Sequence, residues 1–206
     1  MNDQAREKLI RHYSRLYRKA LKKKGSGDVE IKAGQYEKRL REMLASSEFR
    51  RHNVYPTMNV PLIMAMCLEL RDFGLSDAEI MAFTDVVFAG RRKLFDALIR
   101  IIDLLPGSFQ IARKRNIRDH AKRVKDHSIT YDTFIVSEDS VSYRISKCMY
   151  EEMFEAYGIR ALCKIFCNTD TRSYEGLRRH VHFIRYSDLA DGPYCHDEMR
   201  RKEQTK

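Results

Sequence analysis

Apolar positions recur every three or four residues through the first 127 positions and every second residue soon after them, so the chain changes period near Ser128. Leu9, Tyr13, Leu16, Tyr17 and Leu21 form one stripe and predict a helix over 4–24, ended by Gly25-Ser26-Gly27-Asp28. Tyr36, Leu40, Met43 and Leu44 predict a second helix over 34–45. Val54-Tyr55-Pro56 and Asn59-Val60-Pro61 frame a loop, with Pro61 suited to the first turn of a helix over 62–73 that Gly74 caps. Ser76-Asp77-Ala78-Glu79 has the form of a capping box and opens a long helix to about Leu104, with Gly90 as its weak point. Pro106-Gly107 stops that helix, and Ser108 starts another that reaches about Lys125.

From residue 128 the pattern is that of strands. Tyr131 to Val136 is β-branched and aromatic, Val141 to Ile145 alternates, and Ser137-Glu138-Asp139-Ser140 reads as the hairpin connection. Helical periodicity returns over 148–157, stops at Gly158 and resumes over 159–166, before strands over 179–186 and 194–200. The order predicts an α+β fold: a helical region, 1–127, followed by a small antiparallel sheet with inserted helices in 128–206, packed as one unit.

Charge adds a question rather than an answer. The net value of +10 is uneven: residues 1–24 carry nine Lys/Arg against two acids, and 91–127 carry eleven against four. The segments 28–90 and 128–197 are both slightly acidic. Two basic helices could mark a nucleic-acid footprint, but no aromatic–basic motif, recognition helix, finger spacing or zipper heptad accompanies them. We read them as solvated faces and expect no specific nucleic-acid partner. The apolar stretch 54–69 is too short and too proline-broken to cross a bilayer, and no leader-like run follows Met1, so a cytoplasmic protein without a membrane partner is expected. A homo-oligomer is compatible with this reading.

Five cysteines do not make a disulfide framework, and four of them, Cys148, Cys163, Cys167 and Cys195, fall in the last 59 positions. Cys163 and Cys167 are four apart on one helix face, Asp170 follows by three where that helix should end, and His180 and His182 share one face of the next strand. Zinc binding, a nucleophilic thiol and a set of buried thiols are three readings of this constellation. Cys163-x-x-x-Cys167 lacks a second pair, so no metal and no cofactor are expected.

From Cys148 to Asp197 the chain resembles the L-2-amino-thiazoline-4-carboxylic acid hydrolase family. The features are Cys148 with Tyr150, then Cys167-Asn168-Thr169-Asp170, Phe183-Ile184-Arg185, and Leu189-Ala190-Asp191-Gly192-Pro193-Tyr194-Cys195. One departure is that His196 separates Cys195 from Asp197, which puts the acid on the same strand face as the thiol.

The resemblance implies a hydrolase that opens a small cyclic amidine or isothiourea carrying a carboxylate. It implies Cys167, Asp170 and Cys195 as catalytic groups: a nucleophile or proton donor at either thiol, and a general base at Asp170. Arg185 would grip the substrate carboxylate through two parallel hydrogen bonds, with His182 as a reserve acid/base near the substrate. The competing classes are a sensing module using the same cysteines for a metal or small molecule, and a basic-helix nucleic-acid regulator.

Overall fold

A computed structural model describes residues 3–46 and 59–202. It contains two compact units, Met1–Ala89 and Gly90–Lys206. The first is helical: α1 (Asp3–Lys23), α2 (Val29–Ala45), α3 (Asn59–Asp72) and the first half of α4 (Asp77–Asp103). The Val54–Pro56 part of the expected loop lies outside the described residues. Pro61 takes the third position of α3, where its missing N–H costs nothing.

Local signals set the helix ends. Gly74 holds φ at 79°, and the N–H groups of Gly74 and Leu75 return to the carbonyls of Arg71 and Leu70, a Schellman closure that needs a left-handed residue. The Ser76 N–H donates to Glu79 at 2.9 Å and the Glu79 N–H returns to Ser76 Oγ at 3.4 Å, so the capping box forms. The helix it opens passes through Gly90 unbroken. α2 begins five residues before the expected start, because Ala33 already joins the buried stripe and Gly34 is carried inside the helix.

Tyr13, Tyr17, Tyr36, Met64, Met66 and Cys67 are all fully buried in the core of this unit. The Tyr17 and Tyr36 rings lie 4.7 Å apart, and Tyr36 Oη donates to the Leu62 carbonyl. Arg39 on α2 pairs with Glu69 and Asp72 on α3.

The second unit contains α5 (Ser108–Lys125), β1 (Ile129–Val136), β2 (Ser140–Cys148), α6 (Met149–Ala156), a 3-10 turn (Arg160–Cys163), α7 (Lys164–Glu175), β3 (Val181–Ser187) and β4 (Cys195–Arg201). The strands form one antiparallel sheet in the order β1-β2-β4-β3. The α+β class is therefore the fold, and the period change at Ser128 marks the start of the sheet, while the compact units divide at Ala89/Gly90.

Alternation selects one sheet face for the core. Val141, Tyr143 and Ile145 on β2, Val181 on β3 and Met199 on β4 join Ile99, Phe109, Ala112, Leu177 and Leu189 in one cluster. β1 reaches the same cluster through two register shifts around Tyr131. These bulges change which residues point inward, so Tyr131 and Phe134, three apart, both face it.

α7 runs to Glu175, beyond the expected end near Phe166, and Asp170 is therefore mid-helix rather than at a terminus. Asn168, Thr169, Asp170 and Thr171 are weak helix formers, which is why the pattern reads as a stop. Thr169 and Ser173 fold their hydroxyls back onto the carbonyls of Ile165 and Thr169, and Tyr174 stacks on Phe183 of β3 at 4.9 Å. Tertiary packing carries the helix where propensity does not.

Candidate functional site

On the core face of the sheet an open cavity of about 280 Å³ takes side chains from β1–β4, α5 and α7. α5 contributes Asn116, Asp119, His120 and Arg123, a polar stripe at helical spacing. The sheet contributes the row Tyr143, Asp197 and Arg185, and α7 contributes Cys167, Asp170 and Tyr174. Tyr150 and Phe166, stacked at 5.0 Å, form an aromatic wall.

Strand register makes the polar row. Tyr143 of β2 and Arg185 of β3 are both aligned with Asp197 of β4, so three side chains from three strands stand side by side on the inner face. Arg185 Nε and Nη2 donate to the two Asp197 oxygens at 2.8 Å each, and Tyr143 Oη donates to Oδ2 at 3.0 Å. Arg185 Nη1 donates to the Cys167 carbonyl at 2.8 Å, which ties the sheet to α7. The Asp197 carboxylate is 3% exposed and the Arg185 side chain 16%, a buried pair with its hydrogen bonds largely satisfied.

Four free thiols line or border this space: Cys148, Cys163, Cys167 and Cys195. Their environments differ. Cys163 donates its S–H to Cys167, which with the Arg185 guanidinium favours a thiolate at Cys167 and lowers its pKa against the effect of burial. Cys163 is pushed upward by the same bond and by burial. Burial pushes Cys148 up to about 11 and Cys195 up to about 12, the latter despite the Leu189 N–H donating to its sulfur at 3.2 Å. Cys163 and Cys167 are thus one coupled pair, and the Arg185 charge favours ionisation on the Cys167 side.

Asp170 is open to water through the cavity mouth yet has protein on most sides. That partial desolvation raises its pKa to about 6, with Arg185 pulling it down and Asp197 pushing it up. A carboxyl held there exchanges protons near neutral pH.

The turn before β4 positions Cys195. Gly192 N–H bonds to the Asp188 carbonyl at 2.8 Å, and a Cβ at Gly192 would sit 2.9 Å from that oxygen, so the Leu189–Gly192 turn tolerates no side chain there. Arg160 clamps the turn through the carbonyls of Leu189 and Gly192.

The structure therefore brings Cys167, Asp170, Arg185 and Cys195 to one cavity. It does not bring His182, which is exposed on the outward-alternating side of β3, opposite Arg185. Asp197, in turn, is central, and it is the shift by His196 that places it inward. Asn116, Arg123, Tyr131, Tyr143 and Tyr174 line the cavity without having been singled out in the sequence. The α5 stripe 116-119-120-123 was a signal, masked by the surrounding Lys and Arg. Among the described residues no group of three or more His, Cys, Asp or Glu side chains could hold a metal ion, and no helix is long and apolar enough to cross a membrane.

The model of the L-2-amino-thiazoline-4-carboxylic acid hydrolase family matches residues 88–197, more than half of the chain, and the chain belongs to that family. No curated protein matches significantly. Among solved structures, the unliganded ferrous H-NOX protein from K. algicida aligns over 72% of this chain and 74% of its own, at 11% identity and a TM-score of 0.32, a likeness that carries no argument.

Proposed function

We propose that the protein hydrolyses a small cyclic amidine or isothiourea of the 2-amino-thiazoline-carboxylate type, in a reducing cytoplasmic compartment suited to its five unpaired thiols. The observation that carries this reading is the convergence of Cys167, Asp170 and Cys195 in one cavity, with the Arg185 guanidinium donating to the Cys167 carbonyl at 2.8 Å. Cys167 attacks the ring carbon between nitrogen and sulfur, and the ring C–S bond breaks with that sulfur leaving as a thiolate that takes its proton from solvent, while Cys195 lines the cavity beside it. Asp170, ionised, then removes a proton from the water that displaces Cys167, leaving the carbamoyl product. Arg185 acts through Cys167: it anchors the helix carbonyl and its charge favours the thiolate. The small-molecule cavity, rather than the basic helices, is the functional surface in this reading, and neither nucleic acid nor membrane is a partner.

The test is ring opening of 2-amino-thiazoline-4-carboxylate and related cyclic amidines, followed by release of free thiol. Wild-type protein should turn over at least one of them, and Cys167→Ala should lower turnover on the order of 10⁶-fold, as removal of a nucleophile does elsewhere. Wild-type turnover in Cys167→Ala would remove the covalent mechanism.

A further inference from the structure

We propose that Arg123, supported by Tyr150, is the anion clamp of this cavity, so that a single-ring carboxylate binds with its charged end at α5 and its reactive carbon toward Cys167 and Asp170. The orientation rests on the hydrolase reading above; the anion binding does not.

Arg123 and Arg185 are the cationic side chains lining the cavity. They are not equivalent. Arg185 spends three of its five N–H groups on Asp197 and the Cys167 carbonyl, and its charge is already matched by a buried carboxylate. A carboxylate arriving at that end would also face Asp170 and Asp197. Arg123 is half-buried, and among the described residues no carboxylate lies within ion-pair distance of it; Asp119 and Asp126, each about one turn away, act on it only at longer range, and Asp119 pairs with Arg115 at 3.5 Å. Its one side-chain hydrogen bond, to Tyr150 Oη, is long at 3.4 Å, with the guanidinium carbon 5.8 Å from the Tyr150 ring centre. The fork is therefore oriented by an aromatic wall but not consumed by it, and its remaining donors match the planar geometry of a carboxylate.

The walls fit the rest of the ligand. Tyr150 stacks on Phe166, and His120 lies edge-on to Tyr131 at 4.5 Å, so the space beside Arg123 is flanked by flat rings that favour a planar heterocycle. A volume of about 280 Å³ is at the small end for ligand cavities and fits a single ring with short substituents. The carboxylate-bearing end thus lies at the α5 wall, while Cys167 and Asp170 come from α7 and Cys195 and Asp197 from β4.

The experiment is calorimetric binding to the full chain of thiazole-4-carboxylate, which is anionic and aromatic and lacks the 2-amino group that makes the ring carbon an amidine, against neutral thiazole-4-carboxamide. Wild-type protein should prefer the carboxylate by roughly tenfold or more. Arg123→Gln should weaken the carboxylate by roughly 10- to 100-fold, the worth of a charge-assisted hydrogen-bond pair, and leave the carboxamide unchanged. Arg123→Lys should recover part of the loss, and Tyr150→Phe should cost a few-fold. Unchanged carboxylate binding in a folded Arg123→Gln protein, or no preference in the wild type, overturns the clamp. Probe binding without ring opening of any substrate would instead leave the clamp standing and sink the hydrolase reading.

Discussion

Tyrosine and cysteine are placed in both units, and to opposite effect. In the helical unit Tyr13, Tyr17 and Tyr36 fill the core, and Cys67, fully buried, is pushed up to about 12 by desolvation. In the sheet unit Tyr131, Tyr143, Tyr150 and Tyr174 surround an open cavity, and Cys167 lies beside a guanidinium and a donating thiol that lower its pKa. The same residue types are filler in one place and chemistry in the other. What differs is an open wall that carries charge, with Arg185, Arg123, Asp170 and Asp197 in the second unit, against a closed core around Cys67 in the first. Burial alone makes a thiol inert, and burial beside a fixed cation makes it a candidate nucleophile.

The sharpest way to break this contrast beyond Cys167 itself is Asp170→Asn. Ring opening should fall by roughly 10²- to 10⁴-fold, the worth of a general base. The wild-type kcat/KM should rise with pH and level off above about 6, because Asp170 works ionised and its pKa is raised to about 6 by desolvation; the Asn variant should lose that limb. The same shift has a stability sign. A carboxyl whose folded pKa exceeds its unfolded value of about 3.9 favours the folded state when protonated, and that contribution is lost as pH rises through about 6. Asp170→Asn should flatten the stability profile across that window. A profile unchanged by the substitution would place the titrating group elsewhere.

Asp197→Asn should have the largest effect on stability. It leaves the Arg185 guanidinium, 16% exposed, without its counter-charge, a loss of about 3–5 kcal/mol for a buried pair broken from one side. Urea unfolding reads this, and reaction with an alkylating agent reads its consequence for Cys167, whose thiolate depends on where Arg185 is held. The corresponding change in the helical unit, Glu69→Gln, should cost less, because Arg39 remains 31% exposed and can be solvated. Equal losses in the two variants would argue that accessibility of the surviving arginine does not decide the outcome.

These residues show how far the sequence could be read. Helix limits were legible where a local device ends a helix, as at Gly74, the Ser76–Glu79 box and Pro106-Gly107. They were not legible at α7, because Asn168 to Thr171 spell a stop that packing of Tyr174 and Leu177 overrides. Cys167, Asp170, Arg185 and Cys195 were readable as an ordered motif, whereas the partner of Arg185 was not. That Arg185 faces Asp197 follows from the β3–β4 register, a long-range property that no spacing within either strand encodes. Arg123 was hidden for a different reason: in a helix with a surplus of Lys and Arg, the cation that turns inward looks like those that do not.

The smallest effect separates the two sets of tyrosines most directly. Tyr143 Oη donates to the Asp197 carboxylate at 3.0 Å, whereas Tyr17 Oη is buried without a hydrogen-bond partner among the described residues. Tyr143→Phe removes a bond to a charged acceptor and leaves an Asp197 oxygen short of a donor, which should cost about 1.5–3 kcal/mol. Tyr17→Phe removes a hydroxyl that has already given up its bonds to water and gained none in return. Its ring contacts with Tyr36 at 4.7 Å and Phe83 at 5.5 Å survive the change, so stability should stay within about 1 kcal/mol of wild type or rise slightly. Two urea titrations decide it. A Tyr17→Phe loss as large as that of Tyr143→Phe would mean that the Tyr17 hydroxyl is bonded after all, to an internal water, and that the helical core holds polar structure beyond its side-chain packing.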